Sequence, residues 1–91
     1  MSEKEPQERL AERLRAAEAM VTVGGLYSHY KDPDNSYIVR DVILDEATTD
    51  PLVYYQANYG ERIKYGRPLS SWLAVVEIDG KTVPRFSKIE A

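Results

Sequence analysis

The spacing of apolar positions changes once along this chain, close to residues 22–25. Upstream, four apolar residues recur at intervals of four, three and four positions: Leu10, Leu14, Ala17 and Val21. This is the period of a helix with one narrow apolar stripe, so we predict an amphipathic helical extension over residues 1–22. Ser2 and Glu5 have the spacing of a capping box and would begin this helix.

The stripe is too narrow and too rich in alanine for a helix that is buried on several sides. Three arrangements remain open for it. The helix packs on the following domain as a lid, it pairs with a second copy of the chain to form a homodimer, or it frays.

Downstream of the glycine pair, apolar residues alternate with polar ones, which is the period of a strand. Five extended segments follow from this alternation: residues 26–31, 37–44, 52–59, 63–67 and the hairpin 75–83. Residues 32–35 read D-P-D-N and predict the first turn, while residues 68–73 predict one 3-10 or helical turn. The alternation breaks near Arg40 and Asp41, which predicts an irregularity in the second strand. Asp79-Gly80 is the signal of a tight type I′ hairpin.

These elements predict a mainly β fold with an N-terminal helix. We expect a small, strongly bent antiparallel SH3-like barrel of about five strands with one 3-10 or helical turn. The predicted units are the helical extension of residues 1–22, the barrel of residues 23–86 and a C-terminal tail of residues 87–91.

Composition limits the size of the domain and the cellular location that we expect. With 91 residues and no cysteine, the chain offers one small domain that packing alone must hold together. The start M-S-E-K-E is acidic and polar, unlike a signal peptide, and no apolar run is long enough to span a membrane. We therefore expect a cytoplasmic protein without membrane contact. The net charge of −3 gives no global basic field of the kind that non-specific nucleic-acid binders carry.

All seven tyrosines lie between Tyr27 and Tyr65, inside the strand-rich part. Four spaced motifs frame them: Y-S-H-Y-K at residues 27–31, V-Y-Y-x-x-x-Y-G at 53–60, R-P-L-x-x-W at 67–72 and D-G-K-x-V-P-R-F at 79–86. In this order the motifs resemble the domain of unknown function (DUF) family 1653, over about residues 25–86. The family consists of short bacterial domains, and the resemblance implies a fold and no reaction. The chain departs from the family pattern in longer, more acidic loops between Asp32 and Asp50.

Arg67 is the most suggestive candidate for a binding residue. It follows Ile63 and Tyr65 on one face of the predicted fourth strand, so its guanidinium points along an apolar surface. An unpaired charge there is costly, so Arg67 must meet a carboxylate, carbonyl groups or a ligand anion. Asp41 and Glu77 are the structural partners to expect if the residue has no binding role.

Five further residues are candidates for ligand contact: His29, Lys31, Tyr54, Trp72 and Arg85. His29 could donate to an anion, and Tyr54 could stack on a base or grip a peptide. Trp72 would plug one end of the barrel or form a groove wall beside Arg67. Lys31 and Arg85 could add positive charge; an ordinary structural role is the simpler interpretation for each.

We predict a bacterial binding module, rather than an enzyme, that recognises an anionic or peptide-like ligand through an arginine and aromatic surface. One histidine and no cysteine give no reason to expect a metal or cofactor. The first alternative is a nucleic-acid-binding barrel in which Tyr54 stacks on a base while Lys31, Lys64 and Arg85 contact phosphates. A less favoured one is an enzyme centred on His29 with Arg67 as an anion clamp. The partner itself is unknown.

Overall fold

A computed structural model describes residues 6–90. The first element is α1 (Gln7–Glu18), which begins directly after Pro6. Its apolar stripe buries Ala17, the following Val21 is also buried, and Leu14 packs against the same core. The helix therefore packs on the domain, and its pairing with a second copy of the chain stays a prediction. The predicted capping box of Ser2 and Glu5 lies outside the described residues.

Seven strands and one short helix follow: β1 (Leu26–His29), β2 (Asp32–Leu44), β3 (Pro51–Ala57), β4 (Lys64–Pro68), α2 (Leu69–Trp72), β5 (Val75–Ile78), β6 (Lys81–Pro84) and β7 (Phe86–Lys88). Five of the strands form one antiparallel sheet in the order β4-β3-β2-β1-β7, and β5 pairs with β6 in a separate ribbon. The mainly β fold with an N-terminal helix is confirmed. The strand number is larger than predicted, because Phe86–Lys88, mostly in the predicted C-terminal tail, pairs with β1 as an additional strand.

One side of the large sheet carries the core, and we call it the inner face. Val39, Val42 and Val53 are its most deeply buried side chains. Val39 pairs with Tyr55, whereas Asp41 pairs with Tyr54, so Arg40 is an extra residue in β2. This bulge lets Val39 and Val42, three positions apart, both point inward, and it confirms the predicted irregularity.

The first turn lies earlier than the D-P-D-N motif predicts. His29 pairs with Asp32, so Tyr30 and Lys31 form the turn and residues 32–35 belong to β2. Between the pairs Tyr27–Tyr37 and His29–Asp32, β2 contains four residues where β1 contains one. The motif is thus an outward bulge within the strand. The Asp32 carboxylate accepts hydrogen bonds from the Asn35 side chain rather than forming the tight turn.

The second hairpin matches the prediction. Asp79 and Gly80 connect β5 to β6 with φ angles of 52° and 79°, the two positive values that a type I′ turn requires. The Arg85 backbone N–H then donates to the Ala74 carbonyl at 2.9 Å and ties the hairpin to the end of α2.

The sheet curls strongly without closing. β4 and β7 are its opposite edges, yet the Arg67 guanidinium of β4 lies 5.4 Å from the centre of the Phe86 ring of β7. No hydrogen-bonded ladder joins the two edges within residues 6–90, so the predicted closed barrel is not observed there. No helix in this part of the chain is long and apolar enough to cross a membrane.

Candidate anion-binding site

Phe86 is the centre of the aromatic core. Because β7 pairs with β1, Phe86 lies directly opposite His29, and both side chains point to the inner face. Trp72 stacks on the Phe86 ring with centroids 3.8 Å apart and planes only 7° from parallel. The His29 ring meets it edge-on at 4.9 Å. Residues of α2 and β1, which are distant from β7 in the sequence, therefore fix this ring.

Arg67 reaches the same ring from β4. It pairs with Val53 and so shares the inner face. It is also half-buried, and its Nη1 donates to the Ser71 hydroxyl at 2.9 Å. Between residues 6 and 90, Arg67 makes no ion pair, and the expected partners Asp41 and Glu77 do not contact it. A guanidinium has five N–H donors, so one hydroxyl leaves most of its capacity unused.

Arg85 is a second arginine near this site with an unpartnered donor. It lies between β6 and β7, and its carbonyl accepts the Tyr30 backbone N–H at 3.0 Å. Its Nε is buried and has no hydrogen-bond partner in the described part of the chain. Buried polar groups are nearly always satisfied, so an unpartnered charged donor is a reason to look for a ligand.

His29 is held as a neutral donor beside these cations. Its Nδ1 accepts the Lys31 backbone N–H at 3.1 Å, which leaves the proton of the neutral ring on Nε2. Burial is the main cause that lowers the pKa of His29 below its ordinary value of 6.5. Three positive side chains lower this pKa further: Arg67, Arg85 and Lys31. The imidazole is therefore mostly uncharged at pH 7.

The nearest acid does not neutralise this group. The charge of Asp32 acts on His29 in the opposite direction, as the weakest of the causes named for its pKa. Its carboxylate accepts hydrogen bonds from Asn35 Nδ2 at 3.0 and 3.2 Å and from the Tyr37 hydroxyl at 3.2 Å. The Tyr37 hydroxyl also lies 2.9 Å from that of Tyr59. Asp32 is thus engaged by the neutral donors of Asn35 and Tyr37.

We call His29, Arg67, Ser71, Arg85 and Phe86 the Phe86 cluster. Arg67 and His29 contact the Phe86 ring and Ser71 accepts from Arg67, while Arg85 adds a positive charge that acts on His29 and an Nε without a partner. Such a set suits a carboxylate or phosphate, which guanidinium groups bind through paired, charge-assisted hydrogen bonds. No group of three or more metal-ligating side chains occurs among residues 6–90.

Lys31 and Trp72 occupy the margins of this cluster. Lys31 is exposed, with Nζ 5.8 Å from the centre of the Tyr30 ring. It also borders an open, largely apolar groove of about 520 Å³ that includes Val83 and Pro84. Trp72 is only 3% exposed, so it supports Phe86 from behind rather than offering a wall to a ligand.

Tyr54 lies apart from the other candidates. It pairs with Gly66 and is half-buried on the outer face of the sheet, where Lys64 pairs with the neighbouring Gln56. The nucleic-acid alternative joined Tyr54 and Lys64 with Lys31 and Arg85. In the structure the first two residues are on the outer face, whereas Arg85 belongs to the Phe86 cluster.

Ser71 and the central position of Phe86 were not predicted from the sequence as parts of a site. Ser71 follows Arg67 by four residues, but the two belong to a strand and a helix, so helical spacing gives no reason to pair them. A signal for Phe86 did exist in the motif V-P-R-F, where Pro84 ends one ladder. That motif indicates a closing aromatic residue without indicating which charge it meets.

The geometry defines a small bent antiparallel β domain with an unneutralised cationic cluster. The family described as "Protein of unknown function (DUF1653)" matches residues 25–88. That segment is more than half of the 91 residues, and the chain belongs to the DUF1653 family. The resemblance carried by the four motifs is confirmed.

A solved structure supports the fold. The crystal structure of a protein belonging to DUF1653 from Bordetella bronchiseptica is similar at 25% sequence identity and a TM-score of 0.63. The similarity covers 72% of this chain and 85% of that chain. No curated protein matches the chain. The family and its fold are therefore shown, and they bring no activity with them.

Proposed function

We propose that this domain is a binding module for an anionic or peptide-like ligand, whose negative group meets the Phe86 cluster. The observation that carries the proposal is the position of Arg67. Its guanidinium is half-buried over the Phe86 ring, 2.9 Å from a hydroxyl, and no carboxylate of residues 6–90 neutralises it. Burying such a charge unpaired is costly, and a bound anion would remove that cost.

Two observations support the same surface. The Arg85 Nε is buried without an acceptor, and Arg85 acts on the same histidine as Arg67. Like charges gathered in a partly desolvated place repel one another, so the folded domain gains from any anion that lies between them. We also infer that the curled sheet belongs to the SH3-like kind, since its two edges meet across Phe86. The cytoplasmic location stays a prediction.

The decisive experiment compares Arg67→Gln with Lys64→Gln. Both variants remove one positive charge from β4, but Lys64 is exposed on the outer face. Inorganic phosphate and acetate are titrated into each 15N-labelled protein at low ionic strength, and dissociation constants are taken from amide chemical shifts.

Hydrogen bonds to charged groups contribute about 1.5–3 kcal/mol, so Arg67→Gln should weaken anion binding roughly tenfold to hundredfold. Lys64→Gln should change it less than about threefold, through long-range screening alone. Equal affinity in Arg67→Gln and the unaltered protein would overturn the proposal.

The nucleic-acid and enzyme alternatives stay predictions. For the first, binding of single-stranded RNA or DNA should fall steeply with salt and should depend on Tyr54. For the second, His29 would need a nucleophile or an orienting carboxylate in hydrogen-bond contact. In the described chain, its only hydrogen bond is the one from the Lys31 backbone.

A further inference from the structure

Tyr65 is a neighbour of Arg67 on β4 and lies beside the Phe86 cluster. It precedes Arg67 by two positions on β4, and the pairs Tyr55–Tyr65 and Val53–Arg67 place both side chains on the inner face. Along an antiparallel strand the two positions are about 7 Å apart, at roughly 3.4 Å per residue. An aromatic ring and a guanidinium thus emerge side by side from one rigid edge strand.

The ring of Tyr65 is held on one face only. It stacks on Tyr55 with centroids 5.4 Å apart and planes 29° from parallel, and Tyr55 in turn meets Trp72 at 4.9 Å. No other aromatic ring of residues 6–90 contacts Tyr65, and the residue keeps 43% of its surface exposed. β4 is an edge strand, so no further strand pairs beside Tyr65. A stacked ring that keeps this much surface exposed is a platform on which a flat group can stack.

The charge next to this platform favours a phosphate over a carboxylate. Three positive side chains act on His29, and the one acid that opposes them is engaged by Asn35 and Tyr37. A phosphate monoester carries about −1.5 to −2 charges at pH 7 and offers three acceptor oxygens. It can therefore bridge the Arg67 guanidinium and the His29 N–H, whose side chains both lie against Phe86, while the Arg85 charge adds attraction. A carboxylate offers two oxygens and a single charge.

We propose that the ligand is a nucleoside monophosphate, or a chain end with the same chemistry, with its base stacked on Tyr65 and its phosphate in the Phe86 cluster. One ribose separates base and phosphate in such a molecule, a length comparable with the spacing of Tyr65 and Arg67 along β4. This inference rests on the anion site proposed above and adds the class of ligand.

The test uses three phosphate probes of increasing size: inorganic phosphate, ribose 5-phosphate and AMP. Each is titrated by NMR into the unaltered protein, Tyr65→Leu and Tyr54→Leu. Tyr54 is the matched control, since it is a tyrosine on the neighbouring strand whose side chain is on the outer face. N-acetylphenylalanine, which carries a ring and a carboxylate, is the competing probe for a peptide end.

Base–aromatic stacking should make AMP bind about fivefold to hundredfold more tightly than ribose 5-phosphate to the unaltered protein. Tyr65→Leu should remove most of this advantage and leave ribose 5-phosphate binding within about twofold. Tyr54→Leu should leave the advantage in place.

The two proposals fail in different ways. If neither the phosphate probes nor acetate binds, the anion site itself is wrong; if acetate alone binds, only the nucleotide inference is overturned. If phosphate binds through Arg67 but AMP binds no better than ribose 5-phosphate, the anion site stands and the nucleotide inference is overturned. An advantage lost in Tyr54→Leu but kept in Tyr65→Leu, or tighter binding of N-acetylphenylalanine than of AMP, overturns it too.

Discussion

The inner face of the sheet has two ends that differ in how completely their polar and charged groups are paired. At one end α1 covers the sheet, where Ala17 and Val21 are buried and Leu14 packs against the same core. At the other end α2 and β7 cover it with aromatic rings, and two arginines are half-buried among them. The first end has the composition of an ordinary core. The second mixes apolar burial with positive charge, a combination that small domains rarely keep without a purpose.

The arginines show the same contrast. At the α1 end, Arg13 donates through Nη1 to the Thr49 hydroxyl at 2.7 Å and so anchors the β2–β3 loop to the helix. On the outer face, Arg40 donates through Nε to the Gln56 side chain at 2.9 Å. These arginines use protein acceptors to join elements that are distant in sequence. Arg85, in contrast, keeps a buried Nε without an acceptor. Under the function proposed above, the α1 end serves stability and the Phe86 end binds the ligand.

The largest effect on folding should come from Trp72→Ala. Trp72 is 3% exposed and stacks on Phe86, so the truncation should lower the free energy of unfolding by about 3–5 kcal/mol, which urea denaturation measures. The neighbouring Leu73 is 44% exposed, and Leu73→Ala should cost less than about 1 kcal/mol. A loss below about 1 kcal/mol in Trp72→Ala would show that the aromatic end is not part of the core.

Val21→Ala tests whether the two ends are separable, because Val21 follows α1 and is part of the core there. Val21 is 8% exposed, so the variant should be roughly 1–2 kcal/mol less stable by the same measurement. Its affinity for phosphate should stay within about twofold, because Val21 offers no polar group to the Phe86 cluster. The control is Val75→Ala at a position that is 61% exposed, which should change neither quantity. A phosphate affinity that falls along with stability would contradict the division between the ends.

The smallest effect is the pH dependence that His29 confers. Since burial and neighbouring cations lower its folded-state pKa below 6.5, the unfolded chain takes up the proton more readily as pH falls. The free energy of unfolding should therefore decrease as pH drops from about 6.5 towards the folded-state pKa, and should not depend on His29 above that interval. His29→Gln should remove this part of the acid sensitivity, as urea denaturation at several pH values would show.

The protonation of His29 can be followed directly. His29 is the only histidine, so one-dimensional NMR follows its ring protons without assignment. Removing a nearby cation in Arg67→Gln should raise the pKa of His29, and adding phosphate should raise it in the unaltered protein. A pKa that stays the same in Arg67→Gln would separate the histidine from the arginine and weaken the idea of one cluster.

Local signals in the sequence were sufficient for much of the fold. The helical stripe of α1, the bulge at Arg40 and the turn at Asp79-Gly80 depend on neighbouring residues only, and all three are observed. The D-P-D-N motif misled for the same reason. It has the composition of a turn, but the position of the hairpin depends on pairing between β1 and β2, which composition does not encode.

The candidate site was predicted in part. Alternation along β4 correctly directed Arg67 to the apolar side, where it and His29 both contact the Phe86 ring. Tyr54 was separated from them by the same alternation, because it faces outward. The exposure of Tyr65 could not be foreseen, since only the order of strands reveals that β4 is an edge.

By itself, then, the sequence determined the period of each element, the faces of the strands and membership of the DUF1653 family, because these follow from residue types at short spacings. Only the tertiary structure decided that opposite sheet edges meet at Phe86 and that α1 covers one end of the core. It also decided that the hydrogen-bond partner of Arg67 is a hydroxyl rather than a carboxylate. The physical reason is that the curl of a sheet and the neutralisation of a buried charge depend on residues brought together from distant parts of the chain.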